Sequence, residues 1–311
     1  MTEAIDLDDL PVLPPSAKAI AQRAKVYLEE QLGTQRGRRE LLEMVADAEF
    51  SLPDPQVYPE FIAINFGSPR YRINRLWPYG GTVLLAARYK SGKSTLKLNL
   101  VRCLSRGEDF LGQPVVAVGP EECVLDVNLE VDERTQQHYA RPFDLPSNAL
   151  VLNLRGQAKK FNIINDGTRS RIAGMLRDRN VKILIVDPLG PLLRVFNLVE
   201  NANDSSGGGA LVEAFNELSH EAGDIDVLLI HHTGHTAQRR ARGGSVFGDA
   251  ADALWSYRIG GQRLEEDDGS PNEKGIRYFS ATGRLEADME EFPVYFDQRT
   301  HKLSLAPAIP V

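Results

Sequence analysis

The chain has 311 residues, a formal net charge of −7 at pH 7 and 42% hydrophobic residues. This length and composition are typical of one large α/β domain, either alone or with an appendage. No apolar run approaches the ~18 residues that a membrane-spanning helix needs. The acidic balance excludes a basic coat for duplex DNA, although it is compatible with a locally basic loop or pore.

The first residues are acidic and lack the basic and apolar segments of a secretory signal. We therefore expect a cytoplasmic protein that has no membrane partner. The two cysteines, Cys103 and Cys123, lie in apolar patterns and are expected to be buried thiols rather than a disulfide or a metal site.

Apolar residues at helical spacing predict two helices near the N-terminus, at residues 16–32 and about 38–48, followed by a proline-rich linker. Residues 1–60 are therefore predicted to form a small helical segment with its linker, and residues 61–311 the main domain. The segment is too small to hold a core alone, so it must pack on the main domain or on a neighbouring subunit.

From residue 71 onward, short apolar runs alternate with helical patterns, which indicates an α/β fold with a mostly parallel sheet and helices on both faces. The strands are predicted at residues 82–86, 123–129, 150–154, 183–186 and 227–230, with later hairpin-like strands around 276–281 and 293–305. The helices of this part are predicted at about 93–105, 167–179 and 210–222. Residues 201–209 are predicted to be a polar, glycine-rich loop.

The run A-R-Y-K-S-G-K-S-T follows the apolar strand T-V-L-L-A and precedes a helical pattern, which is the strand–loop–helix context of a P-loop. Such a loop binds phosphates through backbone N–H groups and the start of its helix. Lys93 is predicted to bridge the β- and γ-phosphates of ATP, and the Ser94 hydroxyl to hold Mg²⁺. Arg88 and Lys90 either add phosphate contacts or point to solvent. The residues assigned to the nucleotide are Ala87, Arg88, Tyr89, Lys90, Ser91, Gly92, Lys93, Ser94 and Thr95.

An acid follows the apolar strand K-I-L-I-V downstream of the P-loop. This acid, Asp187, is predicted to be the Walker B carboxylate that holds Mg²⁺ through water. Pro188 comes next, so the glutamate base that many P-loop ATPases place there is missing. Glu130, at the carboxyl end of the strand C-V-L-D-V-N-L, is predicted to polarise the attacking water instead. Asp132 and Glu133 are the competing candidates.

Two histidines, His231 and His232, end the strand D-V-L-L-I. A polar residue at the end of a central strand can sense the γ-phosphate and transmit its presence to the following loop. His232 is predicted to have this role. The alternative is a histidine whose hydrogen bonds are satisfied within the core.

These motifs together resemble the RepA-like hexameric ATPases, a branch of the RecA/DnaB superfamily. The similarity covers residues 76–305 and consists of W-P-Y-G-G-T-V, L-E-V-D-E-R, L-I-V-D-P-L, E-N-A-N-D-S-S-G, I-H-H-T-G and R-A-R-G-G-S-V-F-G-D-A-A-D. The resemblance implies a RecA-like fold, a homo-oligomeric and usually hexameric ring, ATP between neighbours and single-stranded DNA in the channel. It also implies a role in replication or recombination, with replication proteins as further partners.

Two arginines take their expected roles from this resemblance. Arg242, in R-G-G-S, matches the position from which a RepA-like arginine reaches the adjacent subunit's site. Arg284, in A-T-G-R, falls where DnaB-like helicases place a second trans-acting arginine, and Thr282 stands in place of the lysine of that lysine–x–arginine pattern. An arginine from a neighbour stabilises the transferred phosphoryl group and makes hydrolysis depend on assembly. The alternative is that both arginines pair with surface acids.

The segment H-T-A-Q-R-R-A-R-G-G-S is a basic loop that follows the proposed sensor. Arg239 and Arg240 are predicted to contact the backbone of single-stranded DNA, with sequence-independent and salt-sensitive binding. The loop at residues 201–209 is a second candidate, although the acids Glu200 and Asp204 weaken its electrostatic case. A solvated loop unrelated to DNA is the alternative.

The sequence therefore predicts an ATPase with one of two functions. The first is a ring-shaped helicase or translocase acting on single-stranded DNA. The second is a regulatory or loader ATPase that couples ATP to assembly without unwinding. A GTPase is disfavoured because no Asn-Lys-x-Asp element follows the P-loop, and a small-molecule kinase would leave the paired histidines and R-G-G-S unexplained.

Overall fold

The computed structural model describes residues 54–67, 70–88, 90–198, 206–233, 250–259, 276–284 and 288–305. The chain divides into two units, Met1–Ser68 and Pro69–Val311. In the described part of the first unit, helix α1 (Tyr58–Ala63) has Pro59 in its first turn. The helices predicted at 16–32 and 38–48 lie outside the described residues, and the domain boundary after residue 60 stays a prediction.

The second unit contains most of the described helices and strands. Its strands are β1 (Tyr71–Ile73), β2 (Trp77–Pro78), β3 (Thr82–Arg88), β4 (Cys123–Asn128), β5 (Ala149–Asn153), β6 (Val181–Asp187), β7 (Asp226–Thr233), β8 (Ala253–Ile259), β9 (Arg277–Gly283), β10 (Met289–Asp297) and β11 (Lys302–Leu305). Its α-helices are α2 (Lys93–Arg106), α3 (Glu133–Ala140), α4 (Asp166–Asp178), α5 (Gly190–Val195) and α6 (Ser206–Glu221), with short 3₁₀ turns at Arg141–Phe143 and Ala158–Lys160.

Nine of the described strands form one sheet in the order β11–β10–β9–β8–β3–β7–β6–β4–β5. The strands from β8 to β5 in this order are mutually parallel, whereas β9, β10 and β11 extend the sheet with antiparallel pairing. The strands β1 and β2 form a separate antiparallel pair. The predicted mostly parallel sheet is therefore confirmed.

Helices cover both faces of the sheet, as predicted. Leu176 of α4 and Phe215 of α6 belong to the core on one face, whereas Leu100 of α2 belongs to the core on the other. Within β6, the adjacent residues Ile183 and Leu184 are buried in opposite cores, because successive side chains of a strand point to opposite faces. Burial on both faces explains why the parallel strands are continuous apolar runs in the sequence.

Several predicted elements need correction. The strand β8 was missed, although every second residue from Ala253 to Ile259 is buried, which is the periodicity of a strand. The strand predicted at 293–305 is two strands, β10 and β11, because Asp297 accepts the backbone N–H groups of Arg299 and Thr300 and makes a turn between them. The helices α3 and α5 were also not predicted.

The predicted loop at 201–209 is helical from Ser206 onward, since α6 begins there. A Cβ atom at Gly207 would overlap the carbonyl oxygen of Leu198. Gly207 lies in the helix, and glycine is required there because the backbone at Leu198 approaches it closely. Residues 199–205 lie outside the described part of the chain.

A buried ion pair lies at the amino edge of the sheet, the edge where the parallel strands begin. Arg72 Nε is 2.6 Å from Asp226 Oδ2, and the two side chains are 2% and 1% exposed. The Gly80 backbone N–H also donates to Asp226, and the Arg72 guanidinium donates to the Val116 carbonyl. The ring of Tyr79 lies against the same guanidinium. Both charges of this pair are thus balanced and hydrogen-bonded.

Both cysteines are free thiols, with Cys103 buried and Cys123 partly buried. Burial raises the pKa of Cys103 to about 12, so this thiol stays protonated at neutral pH. Within the described ranges, no helix combines the length and the hydrophobicity that a membrane crossing requires.

Candidate nucleotide site

The P-loop connects the end of β3 to the start of α2 at the carboxyl edge of the sheet, the edge where the parallel strands end. Gly92 is the N-cap of α2 and has a φ of 92°, a conformation that favours glycine. Lys93 begins the helix and is 7% exposed, and Ser91 is also buried. The first N–H groups of a helix have no partners within it, so this turn presents donors suited to phosphate.

The structure describes most of the residues assigned to the nucleotide. Ala87 is buried in β3, Lys90 is exposed in the loop, and Ser94 and Thr95 are partly buried in the first turn of α2. Tyr89 and the side chain of Arg88 lie outside the described part.

The ends of three elements bring Lys93, His232 and Glu130 together. Lys93 Nζ lies 2.8 Å from His232 Nδ1, and His232 Nε2 lies 3.4 Å from Glu130 Oε2. Because β3 and β7 are neighbouring parallel strands, the P-loop and the end of β7 meet at the same edge. When the lysine is charged, it donates to Nδ1, so Nε2 carries the imidazole proton and faces the carboxylate.

The electrostatics of this chain of contacts keep the carboxylate ionised. Its hydrogen bond with His232 holds the pKa of Glu130 below its ordinary value against partial burial, and the charge of Lys93 acts in the same direction. Burial lowers the pKa of Lys93, while the nearby Asp187 and Glu130 oppose that shift. Burial also lowers the pKa of His231 to about 4, and the neighbouring His232 adds to this, so His231 is neutral at pH 7.

Asn128 shapes the turn that carries Glu130. Its side-chain oxygen accepts the backbone N–H groups of Glu130 and Val131 at 3.2 and 3.1 Å, and its amide donates to the Val131 carbonyl at 2.7 Å. The amide also donates to Asn153 Oδ1 on the neighbouring strand β5. Asparagine is suited to such a turn because its short side chain mimics a backbone group. This residue was not among those predicted from the sequence.

The two competing acids have different surroundings. Asp132 is the N-cap of α3, where its carboxylate accepts the Thr135 backbone N–H at 3.0 Å. It also pairs with Arg155 on the surface. Glu133 is exposed in the first turn of the same helix. Among these three acids, Glu130 is therefore the one that contacts the histidine beside the P-loop lysine.

Asp187, the last residue of β6, provides an acceptor that fits a magnesium site. The residue is 6% exposed, and its Oδ1 has no hydrogen-bond partner among the described residues. A buried carboxylate oxygen without a donor suits a water bound to Mg²⁺, which usually keeps several waters and takes few protein ligands. Ser94, which was predicted to hold Mg²⁺, lies in the first turn of α2. Among the described residues, no group of three or more His, Cys, Asp and Glu side chains is arranged to hold a metal ion.

A buried charge cluster behind this site was missed by the sequence analysis. Lys97 Nζ lies 2.9 Å from Asp126 Oδ2 and 3.0 Å from Asp187 Oδ2, and the three side chains are at most 8% exposed. Gln136 of α3 donates a further hydrogen bond to Asp126 Oδ2 at 3.0 Å. Burial acts to lower the pKa of Lys97, but the two carboxylates outweigh it and hold that pKa above its ordinary value.

Arg277 is a second unpredicted neighbour of the P-loop. This first residue of β9 donates from Nε to the Ser91 carbonyl at 3.2 Å. A Cβ at Gly92 would come within 3.1 Å of the same nitrogen, so a larger residue there would crowd the contact. The antiparallel part of the sheet therefore touches the phosphate-binding loop.

Of the arginines that were predicted to contact a neighbouring ATP site or DNA, the structure describes Arg284 and not those of the basic loop. Arg284 follows β9 at the amino edge, where its guanidinium lies 3.4 Å from Asp252, so it is at the opposite edge of the sheet from the P-loop of its own chain. Arg239, Arg240 and Arg242 lie outside the described residues, and their roles stay predictions.

This parallel sheet, with a P-loop and a strand-terminal acid at its carboxyl edge, defines a RecA-like P-loop ATPase fold. Residues 49–238 match the family described as an AAA domain. Because this match spans more than half of the sequence, the chain belongs to the AAA domain family.

A solved structure has a similar fold. It is a KaiC-like protein from the hyperthermophilic archaeon Pyrococcus horikoshii OT3, with a TM-score of 0.50 and 15% sequence identity. The alignment covers 76% of this chain and 94% of that one. Among curated proteins, the comparison returned no match.

Proposed function

We propose that this protein hydrolyses ATP as a ring-forming motor of the RepA-like type that acts on single-stranded DNA in replication or recombination. The observation that carries the hydrolytic part is the chain of contacts from Lys93 through His232 to Glu130, with Asp187 near enough to act on the charge of Lys93. These groups supply a phosphate-binding cation, a base and a metal-linked carboxylate at one edge of the sheet.

Each side chain has a distinct task in this proposal. Lys93 binds the β- and γ-phosphates, and Glu130 accepts the proton of the attacking water. His232 contacts both groups, so movement of Lys93 toward the γ-phosphate changes the environment of the base. Ser94 and, through water, Asp187 would hold Mg²⁺, which would supply positive charge beside the β- and γ-phosphates.

The position of Arg284 supports a ring. An arginine at the amino edge is separated by the length of the strands from the P-loop of its own chain. Within its own chain Arg284 contacts Asp252, so an ATP site to which it contributes would belong to a neighbouring copy, as the RepA-like resemblance implies. Arg242 supplies the other trans contact of the proposal.

The motor part is tested by the effect of DNA on ATP turnover. Turnover of the full chain is measured with and without a single-stranded oligonucleotide, and the double variant Arg239→Ala/Arg240→Ala is compared with it. We expect single-stranded DNA to accelerate the wild type and the variant to lose the acceleration. The control is Arg171→Ala/Arg179→Ala, which removes two exposed arginines at α4 and leaves the acceleration intact.

If DNA does not accelerate turnover, the motor proposal is wrong and the regulatory or loader ATPase takes its place. The ring is tested separately by mixing Arg242→Ala subunits with Lys93→Ala subunits. Shared sites should restore part of the activity because an intact Lys93 then meets an intact Arg242. Complete lack of rescue contradicts the trans contact.

A further inference from the structure

The cluster of Lys97, Asp126 and Asp187 is a buried charge arrangement that hydrolysis by Lys93 and Glu130 does not itself require. One ammonium contacts two carboxylates at 2.9 and 3.0 Å, so one positive and two negative charges share the space between α2, β4 and β6. A simple structural ion pair would be balanced, as Arg72–Asp226 is. This cluster instead sets two acids against one ammonium, and burial raises the pKa of Asp126 although the charge of Lys97 opposes that rise.

Helix geometry explains how Lys97 reaches the site. It lies one turn after Lys93, and residues four apart on a helix lie above one another on the same face. Long side chains of a helix point back toward its N-terminus. The ammonium of Lys97 is thereby directed toward the P-loop end of α2, where it meets the acid at the end of β6.

We propose that Lys97, held by Asp126, is a positioning residue that orients Asp187 for magnesium. The ammonium binds Asp187 Oδ2 and leaves Oδ1 as the buried oxygen without a hydrogen-bond partner among the described residues. This inference rests on the proposed ATP site and assigns Lys97 and Asp126 a role in its metal affinity.

Asp126 has an electrostatic task in this arrangement. Lys97 alone would neutralise Asp187 and weaken its attraction for a cation. Because Asp126 accepts the same ammonium, and is itself fixed by the hydrogen bond from Gln136, the charge of Asp187 remains effective. Groups that contact metal ligands commonly change metal affinity by about 10–100-fold when they are mutated.

The test measures binding of ATP rather than turnover. ATP is titrated calorimetrically into the full-length chain in MgCl₂ and in EDTA, and the ratio of the two dissociation constants gives the contribution of magnesium. We expect Asp126→Asn to lower this ratio about tenfold or more, while binding in EDTA stays close to that of the wild type. The matched control is Asp226→Asn, another buried acid with a cationic partner, at the amino edge. It should leave the ratio unchanged.

If Asp126→Asn does not fold, a second variant tests the positioning role of Lys97. Lys97→Met/Asp126→Leu replaces the pair by apolar residues, a change that is often tolerated in protein interiors. Asp187 then keeps its charge but loses its orienting partner, so the ratio should again fall by about tenfold. A wild-type ratio in every variant that folds overturns the proposal and leaves the cluster as a support of the fold.

The binding measurements distinguish failure of the proposed function from failure of the positioning role of Lys97. If the wild type binds no ATP in either buffer, the proposed function is wrong and the role of Lys97 falls with it. If the wild type binds ATP more tightly with magnesium and the variants do so equally well, only the positioning role is wrong.

Discussion

The two edges of the central sheet each bury an ionic cluster, and the two clusters differ in their balance of charge. At the amino edge, Arg72 meets one acid, Asp226, whose other oxygen accepts a backbone N–H. At the carboxyl edge, Lys97 meets two acids, and one oxygen of each has no hydrogen-bond partner among the described residues.

Burying charge is unfavourable unless partners and hydrogen bonds compensate for it. A balanced cluster can serve the fold alone, because nothing further is needed to satisfy it. An unbalanced cluster with unsatisfied oxygens is suited to a cation that arrives with the substrate. By charge and hydrogen bonding, the Arg72–Asp226 pair is suited to a structural role and the Lys97 cluster to the role that we propose for it, although both are buried.

The largest expected effect is at the carboxyl edge, in Glu130→Gln. Removal of a general base typically lowers turnover by about 10²–10⁴-fold. ATP binding should persist, because Lys93 and the P-loop are unchanged. Steady-state turnover and calorimetric ATP binding measure the two properties separately. Turnover equal to that of the wild type would show that another group is the base.

The next effect is at the amino edge, in Arg72→Met. This change leaves Asp226, whose pKa burial raises to about 6, as a buried acid without its cation. Breaking such a pair costs about 3–5 kcal/mol of unfolding free energy. Urea denaturation measures the loss, and the ratio of ATP affinities with and without magnesium should not change. The variant Arg72→Met/Asp226→Leu should recover most of the stability. A failure to recover would mean that the acid has a role beyond the pair.

A smaller effect concerns the pH dependence of turnover. Contact with His232 lowers the pKa of Glu130, so the base stays ionised at pH values below the ordinary glutamate range. Turnover should therefore decline only at lower pH. In His232→Asn the pKa of Glu130 rises, and the acidic decline of kcat/KM should move to higher pH. An unchanged pH profile would show that His232 does not influence the pKa of the base.

The smallest effect is expected for Asp132→Ala, close to Glu130 in the sequence. Because Asp132 caps α3, its removal should slightly lower the urea midpoint and leave turnover unchanged. Asn165→Ala removes the N-cap of α4 and is the matched control, with a similarly small change in midpoint. A large loss of turnover in Asp132→Ala, without a similar loss in Asn165→Ala, would indicate that Asp132 is the base.

The sheet and much of the candidate site could be predicted because their signals are local. The strand–loop–helix context of residues 87–95 and the apolar strand before Asp187 each lie within a short window of sequence. The carboxyl ends of parallel strands meet at one edge, so Glu130 and His232 could also be assigned there. The structure places His232 against Lys93 and Glu130 against His232.

The supporting residues could not be predicted in the same way, because their partners are distant in sequence. Lys97 in a helix pattern is ordinarily taken as a solvent-facing residue. A signal was nevertheless present in the strand C-V-L-D-V-N, where Asp126 lies between apolar residues of a central strand. A buried acid requires a cation, and this requirement could have prompted a search for Lys97. Arg277 carried no such signal, since its contact with Ser91 depends on how β9 pairs with β8.

The contact of Arg277 with the P-loop gives β9 a mechanical consequence. This strand begins at the phosphate-binding loop and ends at Gly283, directly before Arg284. At about 3.3 Å per residue, an extended strand holds its two ends at a fixed separation of roughly 23 Å from Arg277 to Arg284. If the loop moves when nucleotide binds, this strand would transmit the displacement to the arginine at its other end. In a ring, such a strand would couple the occupancy of one ATP site to the geometry of the next.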